Sequence, residues 1–387
     1  MKVKTIGFVT AVLLALAAFS APSLTNPATA STTSFTVTFD ANGGSGVMPK
    51  QVIPTKGKAL LSVRYVRDSH LFIGWSINRT GVVKYQNGAV IKPKSKLTLY
   101  AQWKTTVTRP VLVGYQLGKL LWSDSFTGPN GDLIDSTNWT ARYCGHSNDN
   151  GGGTCHNSEK QWYTPDAIRL DGTAQGNAVI TTKKVTVAPT NAGSCLSAPC
   201  SFTSGRFDTQ KKVSFKYGYI ETRIKMPAGG ANWPAFWALG DSMSDVGWPL
   251  AGEIDIAEQG GNLPMRNSAA VHFSKTNQAT CCANHEYVSG EEKNFTNYQS
   301  GFHTYGLAWL PDRLEFYIDR EVFWTVTPTN VHGYWSFNKP FFLILNNAVG
   351  GSGGFGGNYT GWSESKTIID YVHAWELNGQ GSVVKKP

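Results

Sequence analysis

The stretch from residue 120 to residue 377 is built from short runs in which apolar and polar residues alternate, separated by turn residues. Alternation at every second residue is typical of a strand with one buried face, and few long helical patterns interrupt it. Many antiparallel strands without helices between them predict a β-sandwich or jelly roll. The 41 Gly, 13 Trp and 15 Tyr suit this all-β class. The clearest runs lie at 218–225, 269–273, 303–309, 314–319 and 341–345.

The sequence GEIDIAE places three acidic residues close together in one such run. In a strand, Glu253 and Asp255 share a face, and the isoleucines between and after them point to the core. Regular alternation would turn Glu258 away from the other two acids, but a β-bulge absorbs one residue and returns it to their face. We therefore predict a bulged strand with three convergent carboxylates. The alternative is an acidic strand face that only contacts solvent.

Three carboxylates on one partly buried face repel one another, so at least one must keep its proton near neutral pH. Glycoside hydrolysis needs this pairing, because one group attacks the anomeric carbon while a protonated partner donates to the leaving oxygen. Acids on one strand face favour the short separation of a retaining enzyme. Trp233, Trp237 and Trp248 lie just upstream and offer flat surfaces for sugar rings, although a tryptophan in a sandwich is more often a core residue.

The amino terminus has the layout of a secretory signal peptide over residues 1–30, with Lys2 and Lys4 before an apolar run and small residues at its end. A membrane anchor is the alternative, but the run is shorter than the roughly 20 residues that a bilayer requires. We therefore expect a secreted protein, extracellular or associated with the cell wall, with no membrane span.

An exported chain with an even number of cysteines is expected to form disulfides, and this chain has six. A metal site is the competing interpretation, but the cysteines lack the spacing and histidine partners of zinc ligands. Pairing between sequence neighbours would join Cys144 to Cys155, Cys195 to Cys200 and Cys281 to Cys282.

Spacing and charge divide the chain into parts. Residues 35–104 form a second group of short alternating strands, 105–118 are predicted to be a linker, and 119–378 form the main domain. The net charge of +9 belongs to the first part, because residues 31–110 contain twelve Lys or Arg and two Asp. Such a basic module could bind an anionic cell-wall polymer, or it could present a solvated basic face with no partner. Export makes nucleic acid an unsuitable partner.

The main domain resembles the laminarinase branch of glycoside hydrolase family 16, whose signature is the bulged acid motif written here as GEIDIAE. Residues 35–104 resemble the Listeria-Bacteroides repeat, a small β-grasp-like module, through TVTFDANGG, FIGW and LTLYAQW. The resemblance implies a jelly-roll catalytic domain after a β-grasp-like module, and we expect a monomer. Further segments shared with family 16 are YGYIETRIKMPAG at 217–229, NWPAFWALG at 232–240 and PFFLILNNAVGG at 340–351.

The resemblance also implies roles for individual residues. Glu253 would be the nucleophile, Glu258 the acid and then the base, and Asp255 the residue that orients Glu253. His272 could instead be a core histidine, and Asn346 a hydrogen-bonding group at a strand end. The predicted substrate contacts are Trp233, Trp237, Trp248, His272 and Asn346.

Family members often hold a structural calcium ion far from the cleft, and Asp370 and the carbonyl of Gly172 match two of its ligands. This chain has Asp124, Ser125 and Phe126 where the family often has a further carboxylate, which weakens such a site. No cofactor is expected to be required for the reaction.

The expected function is an endo-β-1,3-glucanase that also cleaves β-1,3-1,4-glucan. One alternative is a transglycosylase, or a hydrolase of another β-linked polysaccharide, on the same scaffold. A second is a non-catalytic glucan-binding protein, which typically lacks the three acids.

Overall fold

The computed structural model describes most of the chain from residue 33 onward. The predicted signal peptide and all six cysteines lie outside the described residues. Within the described part, no helix is long and apolar enough to cross a membrane. The described residues are 33–67, 70–105, 109–143, 159–173, 176–185, 201–278, 283–292, 297–350 and 355–386.

The amino-terminal module is a four-stranded sheet in the order β2-β1-β6-β4, in which β1 and β6 run parallel, with a two-stranded sheet formed by β3 and β5. Alternation in the strands directs Val37, Phe39, Trp75 and Leu99 into a small core of its own. The strands are β1 (Ser34–Asp40), β2 (Gln51–Pro54), β3 (Lys58–Ala59), β4 (His70–Ser76), β5 (Val90–Ile91) and β6 (Leu97–Thr105).

The main domain contains a ten-stranded sheet in the order β22-β21-β20-β15-β24-β11-β12-β9, in which β10 also pairs with β11 and β7 with β24. Neighbouring strands are antiparallel except for β9 and β12. Its strands are β7 (Leu117–Asp124), β9 (Gln161–Tyr163), β10 (Ile168–Leu170), β11 (Ala178–Lys184), β12 (Phe202–Ser204), β15 (Gly218–Lys225), β20 (His303–Leu310), β21 (Arg313–Ile318), β22 (Glu321–Val326) and β24 (Glu364–Leu377).

A nine-stranded sheet forms the second layer, in the order β19-β18-β17-β16-β23-β13-β8, with β14 pairing to β23 and β25 to β14. In the described part of the chain the helices are a 3₁₀ turn, Pro165–Ala167, and one short helix α1, Met243–Val246. The strands of this sheet are β8 (Thr140–Ala141), β13 (Arg206–Asp208), β14 (Val213–Lys216), β16 (Asn232–Gly240), β17 (Glu253–Glu258), β18 (Asn267–Ser274), β19 (His285–Glu292), β23 (Phe341–Val349) and β25 (Ser382–Lys385).

The main core lies between these two sheets. Ile220 and Leu307 of the ten-stranded sheet share one buried cluster with Phe236, Ile254 and Leu343 of the nine-stranded sheet. Burial of this apolar surface is the main stabilising contribution to the domain. The prediction of an all-β sandwich is confirmed.

The segment predicted as a linker packs against the main domain in its second half. Leu112 and Leu117 are buried in a cluster that also holds Leu71 of the module and Tyr219 of the ten-stranded sheet. Strand β7 begins at Leu117, inside the range 105–118 predicted to be a linker. A cavity of about 210 Å³ lies between module and domain, lined among others by Phe72 and Asn87 of the module and by Asp124, Asp135 and Lys385 of the domain.

Candidate active site

Strand β17 carries the three acidic residues, and its register with both neighbours is interrupted by a bulge. Phe236 of β16 pairs with Ala257, and the next residue, Trp237, pairs with Asp255, so Ile256 is the additional residue. The register with β18 shifts between Asp255 and Glu258. Ile256 and Ala257 are consecutive and both fully buried, which turns Glu258 to the face that carries Asp255. The predicted bulge is confirmed.

Glu253 contacts two side chains besides its acidic neighbours. Trp248 Nε1 donates to Glu253 Oε2 over 2.8 Å, and His272 Nε2 lies 3.9 Å from Oε1. Glu253 and His272 are directly opposite each other on β17 and β18, so the sheet register fixes this approach. The side chain of Glu253 is 17% exposed and therefore remains accessible to solvent.

Asp255 and Glu258 are held by different donors. His272 Nε2 lies 3.0 Å from Asp255 Oδ2, and Asp255 is almost completely buried. Trp233 Nε1 donates to Glu258 Oε1 over 2.8 Å. The structure therefore brings together the three acids with Trp233, Trp248 and His272, all of which were singled out from the sequence.

Burial and mutual repulsion separate the proton affinities of the three acids. Burial raises the pKa of Glu253, and the nearby His272 opposes that rise. Burial and the charge of Glu253 raise the pKa of Asp255 to about 7. Burial and the charge of Asp255 raise the pKa of Glu258 to about 8, although Trp233 stabilises its ionised form. Glu258 therefore keeps its proton at neutral pH.

His272 is the cation of this cluster. Burial disfavours its charged form, but the charge of Glu253 and the contact with Asp255 outweigh burial and raise the pKa of His272 to about 9. A doubly protonated imidazole donates from both nitrogens. Its Nε2 faces the acids, and its Nδ1 lies 2.8 Å from His285 Nε2 on the neighbouring strand β19.

Trp237 and Asn346 lie beside the acids and contact each other. Trp237 Nε1 donates to Asn346 Oδ1 over 2.7 Å, and Asn346 Nδ2 donates to the hydroxyl of Tyr163 over 3.0 Å. The guanidinium of Arg206 lies 4.9 Å from the centre of the Trp237 ring. Burial raises the pKa of Glu159, which borders Tyr163, to about 7. This network fixes both the edge and one face of Trp237.

Sequence reasoning missed several residues of the site. Phe355 stacks on Trp233 with ring centres 4.8 Å apart, and Arg206 lies over the ring of Trp237. Tyr163 accepts from Asn346, the partner of Trp237, and its hydroxyl donates to Glu159. These contacts depend on the tertiary fold, because they bring residues of both sheets and of the loops between strands to Trp233 and Trp237. No local sequence pattern marks them.

The two residues predicted to bind calcium lie elsewhere in the domain. Arg223 donates to Asp370 Oδ2 over 2.6 Å, so this carboxylate already has a cationic partner. Gly172 has a positive φ of 69°, and a Cβ there would lie 2.5 Å from the backbone nitrogen of Asn130. The backbone conformation and the close approach of Asn130 therefore explain why a glycine occupies this position. The pairing of Asp370 does not favour a calcium ion, whose binding here stays a prediction.

Comparison with protein families gives two matches. Residues 162–372 match the model of glycosyl hydrolases family 16, and residues 35–102 match the Listeria-Bacteroides repeat domain. The first match covers more than half of the chain and includes all three acids of β17.

Two curated relatives are glucanases. Glucan endo-1,3-beta-glucosidase A1 of Niallia circulans is 30% identical over 70% of this chain and 39% of its own length. Glucan endo-1,3-beta-glucosidase of Cryptopygus antarcticus is 32% identical over 66% of this chain and 92% of its own length. This chain therefore spans well under half of the first relative and nearly all of the second.

Among solved structures, the endo-beta-1,3-glucanase of Pyrococcus furiosus is similar with a TM-score of 0.58 and 30% identity. The match covers 69% of this chain and 97% of that structure. The likeness spans the two-sheet domain and agrees with the predicted jelly-roll sandwich.

Proposed function

Because this chain belongs to family 16 of the glycosyl hydrolases, we propose that it is a retaining endo-β-1,3-glucanase that also accepts β-1,3-1,4-glucan. The observation that carries the proposal is the bulge at Ile256, which brings Glu258 to the face of Glu253 and Asp255. Two relatives named as endo-1,3-beta-glucosidases support the choice of linkage. A non-catalytic glucan-binding role would leave these three convergent acids without a function.

In the proposed reaction, Glu253 attacks the anomeric carbon and forms a covalent glycosyl-enzyme. The attack requires an ionised carboxylate, and the positive charge of His272 and the Trp248 hydrogen bond both favour that form. These two contacts also limit the orientations of the carboxylate, which lowers the entropic cost of reaching the attacking geometry.

Glu258 supplies the proton to the leaving oxygen. Its raised pKa of about 8 keeps it protonated at neutral pH until the bond breaks. Once Glu253 is esterified, the cluster has one negative charge fewer, and the pKa of Glu258 falls because less repulsion opposes ionisation. The ionised Glu258 then takes a proton from a water molecule whose oxygen attacks the anomeric carbon, which breaks the ester to Glu253 and releases the sugar with its configuration retained.

Asp255 lies between Glu253 and Glu258 on the strand and shares the positive charge of His272 with Glu253. Its carboxyl touches His272, which also approaches Glu253, so a proton shared within this group can follow the charge on the nucleophile. Trp233 and Trp248 each donate a hydrogen bond from the indole nitrogen to one of the acids. The rest of each ring is suited to stack on a sugar.

Digestion of laminarin, lichenan and agarose, followed by product analysis, tests the proposal. We expect a ladder of oligosaccharides from laminarin, slower cleavage of lichenan and no cleavage of agarose. Proton NMR of the first products should show the β-anomer before mutarotation. Cleavage of agarose alone, or an α-anomer as the first product, would contradict the proposal. Products longer than the substrate would indicate the transglycosylase alternative.

For the amino-terminal module we propose binding to an anionic cell-wall polymer after secretion. Lys56, Lys58, Lys92 and Lys94 are all exposed on or beside the sheet of β3 and β5, where Lys58 pairs with Ile91. Clustered exposed lysines attract polyanions at low salt. Amino-terminal sequencing of the protein from culture medium would test export and cleavage near residue 30.

Reversing these four lysines to Glu should reduce retention on anionic cell walls at low salt, with unchanged activity on soluble laminarin. Reversing Lys183, Lys211, Lys275 and Lys366 of the main domain provides the matched control, which should keep its retention. Equal retention of both variants would leave the module without a charge-dependent binding role. This design avoids deleting the module, since Leu71 packs against the domain.

A further inference from the structure

His285 is the first residue of β19 and lies behind His272 as seen from the acids. The two imidazoles are nearly parallel, with ring centres 5.1 Å apart and planes 13° apart, and His272 Nδ1 lies 2.8 Å from His285 Nε2. The hairpin of β18 and β19 sets this distance, because its register pairs Ser274 with His285 and His272 with Tyr287.

His285 also contacts the second partner of the nucleophile. The rings of Trp248 and His285 have centres 4.3 Å apart. Trp248 Nε1 bonds to Oε2 of Glu253, and His272 Nε2 approaches Oε1 of the same carboxylate. His285 therefore contacts both His272 and Trp248, the two side chains that approach the carboxylate of Glu253.

We propose that His285 is a positioning residue for the nucleophile Glu253, acting as a neutral hydrogen-bond acceptor for His272 and as a packing surface for Trp248. This inference rests on the proposed function of the acid cluster. His272 Nε2 lies 3.0 Å from Asp255 Oδ2, and in the doubly protonated form that the surrounding acids favour, its Nδ1–H donates to His285 Nε2. That assignment requires the proton of His285 to reside on Nδ1.

The charges around His285 favour its neutral form. Burial and the positive charge of His272 lower the pKa of His285, Lys275 at the turn acts in the same direction, and Glu286 opposes them. Trp248, whose ring centre lies 4.3 Å from that of His285, is uncharged. If His285 became protonated, an N–H group would face the N–H group of His272, and the contact would be lost.

Two substitutions separate the acceptor role from simple packing. His285→Gln keeps an acceptor oxygen, whereas His285→Leu fills similar space without one. The test substrate is an aryl β-glucan oligosaccharide, because its aryl group leaves with little help from a general acid. On this substrate we expect His285→Leu to lower kcat about 10-fold to 100-fold, with KM changed less than about 2-fold. His285→Gln should retain kcat to within about 3-fold, and its acidic limb of kcat/KM should extend to lower pH because Gln does not titrate.

Tyr287→Leu is the matched control. Tyr287 stacks on both imidazoles at 5.5 Å and 6.0 Å but is 58% exposed. We expect unchanged kcat and an unchanged pH profile for this variant. Equal losses of kcat in His285→Gln and His285→Leu, accompanied by lower melting temperatures, would indicate a structural role and overturn the proposal. Wild-type kcat and pH profile in His285→Leu would also overturn it.

A measurement without substrate keeps this proposal separate from the proposed function. Nitrogen-15 NMR of histidine-labelled protein at pH 6.5 should show His285 neutral with its proton on Nδ1, and His272 protonated on both nitrogens. A His285 that carries its proton on Nε2 would exclude it as the acceptor, even if the enzyme cleaves laminarin as proposed. Conversely, an enzyme inactive on glucans with the expected NMR assignment would contradict only the proposed function.

Discussion

Both large sheets carry carboxylates that are largely removed from solvent, but the two sheets differ in how far neighbouring groups compensate the negative charge. Glu221 of β15 is completely buried, yet Arg320 donates to both of its oxygens at 3.1 Å, and the hydroxyls of Tyr219 and Tyr371 donate at 2.9 Å and 2.7 Å. Two oxygens thus receive four donors and one full positive charge. The charge of this carboxylate is therefore compensated by its neighbours.

The acids of β17 have far fewer partners for their charge. Glu253, Asp255 and Glu258 share one imidazolium, His272, and two indole N–H groups. The two sheets differ in the positive charge available to each carboxylate: Glu221 has one cation to itself, whereas the three acids of β17 share one. A buried acid marks a reactive site when its neighbours leave its charge uncompensated.

Converting each glutamate to glutamine tests this contrast with the largest expected effect. Glu253→Gln should lower kcat on laminarin at least about 10³-fold, because the amide cannot form the glycosyl ester. Glu258→Gln should lower it about 10²-fold to 10⁴-fold, since the proton donor is lost. Initial rates on laminarin, corrected for the folded fraction by circular dichroism, measure both.

Glu221→Gln is the matched control for these two variants. It makes the same change at an even more deeply buried position, and the activity of each folded molecule should stay within about 2-fold of wild type. A loss of activity comparable to that of Glu253→Gln would show that the two sheets do not differ in the way described. Near-normal turnover of Glu253→Gln would remove the nucleophile assignment.

The second prediction concerns stability on the opposite sheet. Arg320→Met leaves Glu221 buried without its cation and should lower the free energy of unfolding by about 3 kcal/mol, as expected for breaking a buried ion pair. Urea unfolding at pH 7 measures the change. Lys183→Met removes a cation from Glu364 at 3.4 Å, where both side chains are more than one-third exposed, and should change stability by less than about 0.5 kcal/mol. Equal effects of the two substitutions would contradict the comparison.

The sequence predicted the three acids and their bulge because both follow from side-chain alternation within one strand. The same local pattern describes Glu221, which follows Tyr219 and Ile220 in an alternating run, so alternation alone could not separate a reactive acid from a paired one. The separating feature is Arg320, which lies 99 residues farther along the chain. Such pairings depend on strand order, which a single sequence does not determine.

The same reason explains the other differences. His285 reaches the site because the hairpin register brings it to His272, and Arg206 reaches Trp237 because β13 and β16 both pair with β23. Strand β7 begins at Leu117, within the predicted linker, because Leu117 pairs with Leu377 of β24, which lies far along the chain. Tryptophans were correctly placed near the acids, since Trp233 and Trp248 lie close to them in sequence as well as in space.

The third prediction concerns how the raised pKa of Glu258 makes the stability of the fold depend on pH. The pKa of Glu258 is raised from 4.5 to about 8, so the folded protein binds more protons than the unfolded chain between these values. Stability must therefore fall as pH rises through that window. Glu258→Gln does not titrate, so its stability relative to wild type should increase with pH, from little difference at pH 4 to a clear difference in its favour at pH 8.

Urea unfolding at pH 4, 6 and 8 measures this trend, and Glu364→Gln gives a control of opposite sign. Lys366 and Lys183 lower the pKa of Glu364, so that carboxylate contributes stability above its ordinary pKa and loses it as pH falls. Glu364→Gln should therefore be slightly less stable than wild type at pH 8 and equal to it at pH 4. If Glu258→Gln shows the same direction as Glu364→Gln, the charge on the β17 face is compensated in the folded protein. The contrast between the two sheets would then have to be sought in geometry instead of charge.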